Sequence, residues 1–194
     1  MAHKRGTRGK AVLIFLAAVL VIGCAIGGTV AWLTAQSDPV ANVFTYGDIN
    51  VELTETTGNE YKILPGNDIS KDPKVTVKAG SEASWLFVKI DEENWPAFLE
   101  TDGTRKVKYN LSDGWIALDG ETGVFYREVS AVSADTDFTV LADNKITVSG
   151  NLTKEEINGL SADAAAPKLT FTAYAVQRDS NVTTAAQAWT IANP

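Results

Sequence analysis

Three groups of carboxylates have the type and spacing to do chemistry in this chain: Asp91-Glu92-Glu93, Asp135 with Asp137, and Glu155-Glu156. Paired carboxylates can divide general acid and base work, or hold a divalent cation between them. No D-x-[DN]-x-[DN]-G calcium loop accompanies them, so solvated surface charge is the first reading, with weak calcium binding and then catalysis behind it. Other catalytic side chains are nearly missing. The only histidine is His3 and the only cysteine is Cys24. A zincin needs H-E-x-x-H on a helix, and a Ser-His-Asp triad or a Cys-His pair needs an imidazole. Beyond residue 3 none of these can be built. The expectation is a non-enzyme with no catalytic, cofactor or metal residues.

Both exceptional residues fall in a leader. Met1–Lys10 carries Lys4, Arg5, Arg8 and Lys10, Ala11–Ile26 is uncharged and apolar, and Gly27-Gly28-Thr29-Val30-Ala31 follows with small residues. A basic region, an apolar run and a small-residue exit spell a secretory signal, expected here to form a helix and to be cut between Ala31 and Trp32. A retained anchor over Ala11–Leu33 is the first alternative, since a span needs about 20 residues. A lipoprotein acylated at Cys24, after Val21-Ile22-Gly23, is the second. The division expected is 1–31 signal peptide and 32–194 secreted domain, with the membrane touched only through the uncleaved leader.

Four of the 17 basic residues precede Trp32 and all 24 acidic ones follow it, so the remainder carries a formal charge of −11. That charge disfavours nucleic acid and anionic membrane surfaces as partners. With no cysteine after the leader, disulfides are not available and a hydrophobic core must hold the domain. Its period is that of strands. Lys74–Lys78 alternates, Trp85–Ile90 is almost continuously apolar and reads as a central strand, and Leu169–Val176 alternates again. Trp115–Leu118 and Val124–Val129 read as a hairpin around Asp119–Gly123, and Phe138–Leu141 and Ile146–Val148 flank a turn. Seven or eight short strands point to an all-β, jelly-roll-like or Ig-like antiparallel sandwich. Two short helices are expected behind the capping boxes Thr153–Glu156 and Thr184–Gln187, with Trp189 pinning the second.

Gly28–Thr34 followed by Asn42-Val43-Phe44-Thr45-Tyr46-Gly47-Asp48-Ile49-Asn50-Val51-Glu52-Leu53 resembles the N-terminus of the TasA/camelysin family. Leu64-Pro65-Gly66, Lys71–Val75, Phe125-Tyr126-Arg127, Ala173–Gln177 and Ala185–Trp189 extend the resemblance over nearly the whole chain. The resemblance implies removal of the leader by a SipW-type signal peptidase and a jelly-roll-like sandwich. It also implies secretion by a Gram-positive bacterium and, in the TasA branch, assembly into biofilm matrix fibres. Camelysin-like relatives are described as proteases, a role that the missing imidazoles oppose.

Residues 32–45 are the candidate donor strand of such a fibre, with Trp32, Leu33, Val40, Val43 and Phe44 seated in pockets of the next copy. The competing reading makes them an ordinary first strand or a frayed terminus. The three N-x-[ST] sequons, at Asn110, Asn151 and Asn181, are incidental. The function expected is a secreted structural subunit of matrix or surface fibres, partnered by its own copies or related matrix proteins. A monomeric cell-surface binding domain is the alternative.

Overall fold

The computed structural model describes residues 34–36, 42–58, 60–94, 102–159, 167–179 and 181–193. The expected signal helix and its cleavage point, Ala31 and Trp32, lie outside them. Within them the chain is mostly β. In order the strands are β1 (Thr34–Gln36), β2 (Asn42–Tyr46), β3 (Val51–Thr54), β4 (Glu60–Lys62), β5 (Asp68–Ser70), β6 (Lys74–Val77) and β7 (Ser84–Glu93). They continue with β8 (Val107–Lys108), β9 (Ile116–Ala117), β10 (Val124–Val129), β11 (Thr136–Thr139), β12 (Lys145–Val148) and β13 (Lys168–Gln177). The helices are α1 (Lys154–Gly159) and α2 (Ala185–Ala192).

The frame is the antiparallel pair β7 and β13, in register from Ser84 opposite Gln177 to Glu93 opposite Lys168. It sits inside a five-stranded sheet of order β2-β13-β7-β10-β9. Flanked on both edges, β7 buries every side chain from Ser84 to Val88, as its continuous apolar run predicts. Trp85, Phe87, Tyr174 and Val176 face α2, and the alternate residues Leu86, Val88, Ala173 and Ala175 are buried on the other face. Smaller sheets of order β11-β6-β3 and β5-β12-β8 and the pair β1-β4 complete the fold. Val75 and Val77 of β6 are buried as the alternation of Lys74–Lys78 predicts. Thr76 is covered too, because its hydroxyl donates to Asp137 of β11 at 2.7 Å.

Both helices start where their capping boxes place them. The Thr153 amide donates to Glu156 Oε2 at 2.8 Å and the Glu156 amide to Thr153 Oγ1 at 3.3 Å, with Leu152 and Ile157 buried on either side. Thr184 and Gln187 make the same exchange ahead of α2. Trp189 then packs 5.3 Å from the Phe87 ring and 5.0 Å from the Tyr174 ring.

Three expectations need correction. The described strands number 13, because strands of two to four residues are too short to show a period. The sheets are not wholly antiparallel: β2 runs parallel to β13, with Asn42–Tyr46 opposite Thr172–Val176. No tight turn joins these distant segments, so none dictates their direction. Lastly, the strand expected at Trp115–Leu118 contracts to Ile116–Ala117. Its flanks turn inward, and Trp115 Nε1 donates to the Thr139 carbonyl at 2.9 Å. The β9–β10 hairpin itself forms in register, Ala117 opposite Phe125.

Candidate functional site

At β2, the end strand of the five-stranded sheet among the described residues, the sheet carries exposed apolar side chains. Alternation along Asn42–Tyr46 puts Phe44 and Tyr46 on one face and Val43 and Thr45 on the other. Among the described residues, β2 is paired on its β13 side only. Phe44 is 53% exposed and Tyr46 62%, unusual values for large apolar residues on a sheet. Gly47 ends the strand at φ +100°, where a Cβ would stand 2.5 Å from Gln177 Oε1; that oxygen instead accepts the Asp48 amide at 3.3 Å.

Cross-strand register places Phe44, Tyr174, Phe87, Tyr126 and Ile116 in one row across all five strands. Trp189 lies against the middle of the row, and both ends are exposed, Ile116 by 54%. At the β2 end, Phe44 stacks on Tyr174 with centroids 5.1 Å apart and planes 15° from parallel. Between β2 and the last turn of α2 runs a groove of about 400 Å³, lined by Phe44 and Tyr46 of β2, by Tyr174 with the β13 chain at Ala175, and by Ile191 and Asn193. Its surface is largely apolar, so it can seat apolar side chains.

The candidate assembly residues separate. Trp32, Leu33 and Val40 lie outside the described residues. Val43 is half-buried opposite Ala173, and Phe44 forms the wall of the groove. In this single chain, Asn42–Tyr46 pairs with Thr172–Val176 of its own sheet.

The carboxylate groups are each absorbed by neighbouring cations and donors. Asp91 pairs with Lys89 at 3.0 Å, Glu92 accepts from Arg105 at 2.8 Å and Tyr109 at 2.9 Å, and Glu93 lies 3.8 Å from Lys168. Asp137 binds Lys74 at 2.8 Å, and Asp135 accepts the Ala79 amide at 2.9 Å beside Lys78. The Lys74 hydrogen bond holds the Asp137 carboxyl below its usual range, the Ala79 amide does so for Asp135, and the Thr153 amide with Lys106 does so for Glu156. A general acid needs the opposite shift. Among the described residues, no group of three metal-ligating side chains stands together.

Two polar centres escaped the sequence reading. Lys71, 2% exposed, lies beside Glu55 and Tyr61. Arg127 lies over the rings of Trp115 at 5.2 Å and Phe138 at 4.3 Å, its Nε buried without a hydrogen bond, and burial lowers its pKa. Nothing local marks either, since the residues that surround them come from separate strands. Tyr46 was legible: it repeats Phe44 two positions on, the spacing of one strand face.

Set against known protein families, curated proteins and solved structures, the chain has no match.

Proposed function

We propose that this chain is a secreted structural subunit of extracellular matrix or surface fibres, of the TasA/camelysin type. On this reading a SipW-type peptidase frees Trp32, the domain is a jelly-roll-like sandwich without enzymatic activity, and copies join by exchanging the N-terminal strand. The observation that carries the reading is β2 itself: a five-residue strand paired on one side among the described residues, wearing exposed Phe44 and Tyr46 beside an apolar groove. A neighbour's Asn42–Tyr46 would occupy the same place beside β13 in the same register. Exchange repeats the hydrogen bonds and the burial already present in one chain, so the gain per junction must come from new contacts between copies, with the second domain laid over the exposed Phe44, Tyr46 and the groove. Head-to-tail exchange grows a filament whenever the rotation from one copy to the next does not close into a ring.

The test replaces Val43 and Ala173, which are partners across β2 and β13, with cysteine. Oxidation of a monomer should lock β2 in place and abolish fibres seen by electron microscopy. Oxidation after fibres have formed should give a covalent ladder on a denaturing gel. Fibres that yield only monomers after oxidation would exclude strand exchange. A mature chain that stays monomeric at every concentration tested would exclude the fibre reading altogether. The groove supports a second reading, a monomeric surface domain that seats an extended apolar or glycan ligand between β2 and α2. That domain would bind ligand with β2 locked.

A further inference from the structure

The segments that follow β3 and β5 meet over a buried amine. Lys71 is 2% exposed and its Nζ touches Oε1 of Glu55, itself 10% exposed. Two rings enclose the pair, with Nζ 5.0 Å from the Tyr61 centroid and 5.6 Å from that of Phe171. The Tyr61 hydroxyl bridges them, 2.7 Å from Glu55 Oε1 and 3.2 Å from Lys71 Nζ, and it also reaches the Gly58 carbonyl. The backbone on both sides is pinned. Asp72 accepts the amides of Thr56 and Thr57 at 2.9 and 3.0 Å, and the Lys71 amide donates to the Asn144 carbonyl at 2.8 Å. These bonds fix the backbone from which both side chains reach the pocket.

An ion pair is a costly occupant of such a site, because the desolvation of two charges can exceed their mutual attraction. Transfer of one proton from the ammonium to the touching carboxylate would leave a free amine in contact with a carboxylic acid. Those are the reactants of an amide bond, and the hydroxyl between them touches both the nucleophile and the oxygen that must leave. Burial holds the Tyr61 phenol above its usual range, so it stays protonated between the two groups.

We propose that Lys71 and Glu55 condense into an intrachain amide, Nζ to Cδ, stapling the end of β3 to the end of β5. Nζ adds to Cδ of the neutral acid. One Nζ proton passes to the Tyr61 hydroxyl while that hydroxyl gives its own proton to Oε1, the C–Oε1 bond breaks, and water leaves. Tyr61 ends as it began, and nothing is oxidised or reduced. The step exchanges two buried charges for one neutral amide and releases a water molecule. For a domain with no cysteine after Cys24, the staple would serve as a disulfide does, closing the loop that carries β4 and β5.

Intact-mass measurement and peptide mapping of the secreted chain test this directly, without reference to fibres. The expected mass is one water below that of the processed sequence. Trypsin does not cut after an acylated lysine, so the Lys71–Asp72 bond should survive within a branched peptide holding Glu55. Lys71→Arg and Glu55→Ala should each restore the missing water, and Tyr61→Phe should give a slowly closing mixture of the two masses. The unmodified mass, with Glu55 and Lys71 in separate linear peptides, overturns the proposal. So does a deficit that maps to Asp113-Gly114 or Asp119-Gly120, where succinimide formation loses the same water. The map of the unsubstituted chain decides the matter even if every variant fails to fold.

Discussion

Truncating Phe44 to alanine separates what the ring does for its own chain from what it does between chains. Phe44 is 53% exposed, so nearly half of its surface is already withdrawn from water by the stack on Tyr174. Full burial of a phenylalanine contributes roughly 1.5–3 kcal/mol, so this half contributes about 1 kcal/mol, and the stacked pair adds about 0.5–1.5 kcal/mol. Urea unfolding followed by circular dichroism should therefore show Phe44→Ala destabilised by about 1.5–2.5 kcal/mol. If assembly covers the exposed half, each junction loses a further ~1 kcal/mol, and the critical concentration measured by sedimentation rises roughly fivefold. Phe44→Asp should raise it much more, because a charge would then be buried at the junction, whereas Asn181→Asp, at an exposed loop position, should leave it alone. An unchanged unfolding midpoint would refute the stack on Tyr174. A lowered midpoint with an unchanged critical concentration would refute β2 as the assembly edge while leaving the fold intact.

Trp189→Ala should cost about 3–5 kcal/mol in thermal unfolding, since a 4%-exposed indole packed on Phe87 and Tyr174 leaves a cavity that rigid strands cannot fill. Trp189→Phe should cost much less, because the indole nitrogen has no hydrogen bond to lose. For Asp72, burial raises the pKa, but the hydroxyls and amides of Thr56 and Thr57 outweigh it and draw the value from 3.8 to about 2. A lowered folded-state pKa contributes stability that is present above about pH 4 and lost as pH falls toward 2. Asp72→Asn should lose that contribution at neutral pH, about 1 kcal/mol after solvent screening, and flatten the stability profile over the same window. Arg127→Met should leave stability unchanged or slightly raised in the same measurement, because the guanidinium Nε is buried unpaired and a similar apolar volume can fill the space between Trp115 and Phe138. A large loss there would mean that the cation–π contacts outweigh desolvation.

What the sequence by itself determined is what neighbouring residues settle among themselves. The capping boxes at Thr153–Glu156 and Thr184–Gln187 form as read, because each is closed within one helical turn and needs no distant partner. Trp85–Ile90 had to be central, since so continuous an apolar run is stable only with cover on both faces, and the carboxylate groups had to face solvent or cations. Tertiary structure alone decided the rest. The parallel seat of Asn42–Tyr46 beside Thr172–Val176, the groove between β2 and α2, and the contact of Lys71 with Glu55 all join segments that no local period or turn relates. The chain reaches those arrangements through the collective burial of Tyr174, Phe87 and Trp189 and their neighbours. Burial is non-directional: it rewards covering apolar surface without naming which strand must cover it, so partner and direction emerge only when the whole core packs.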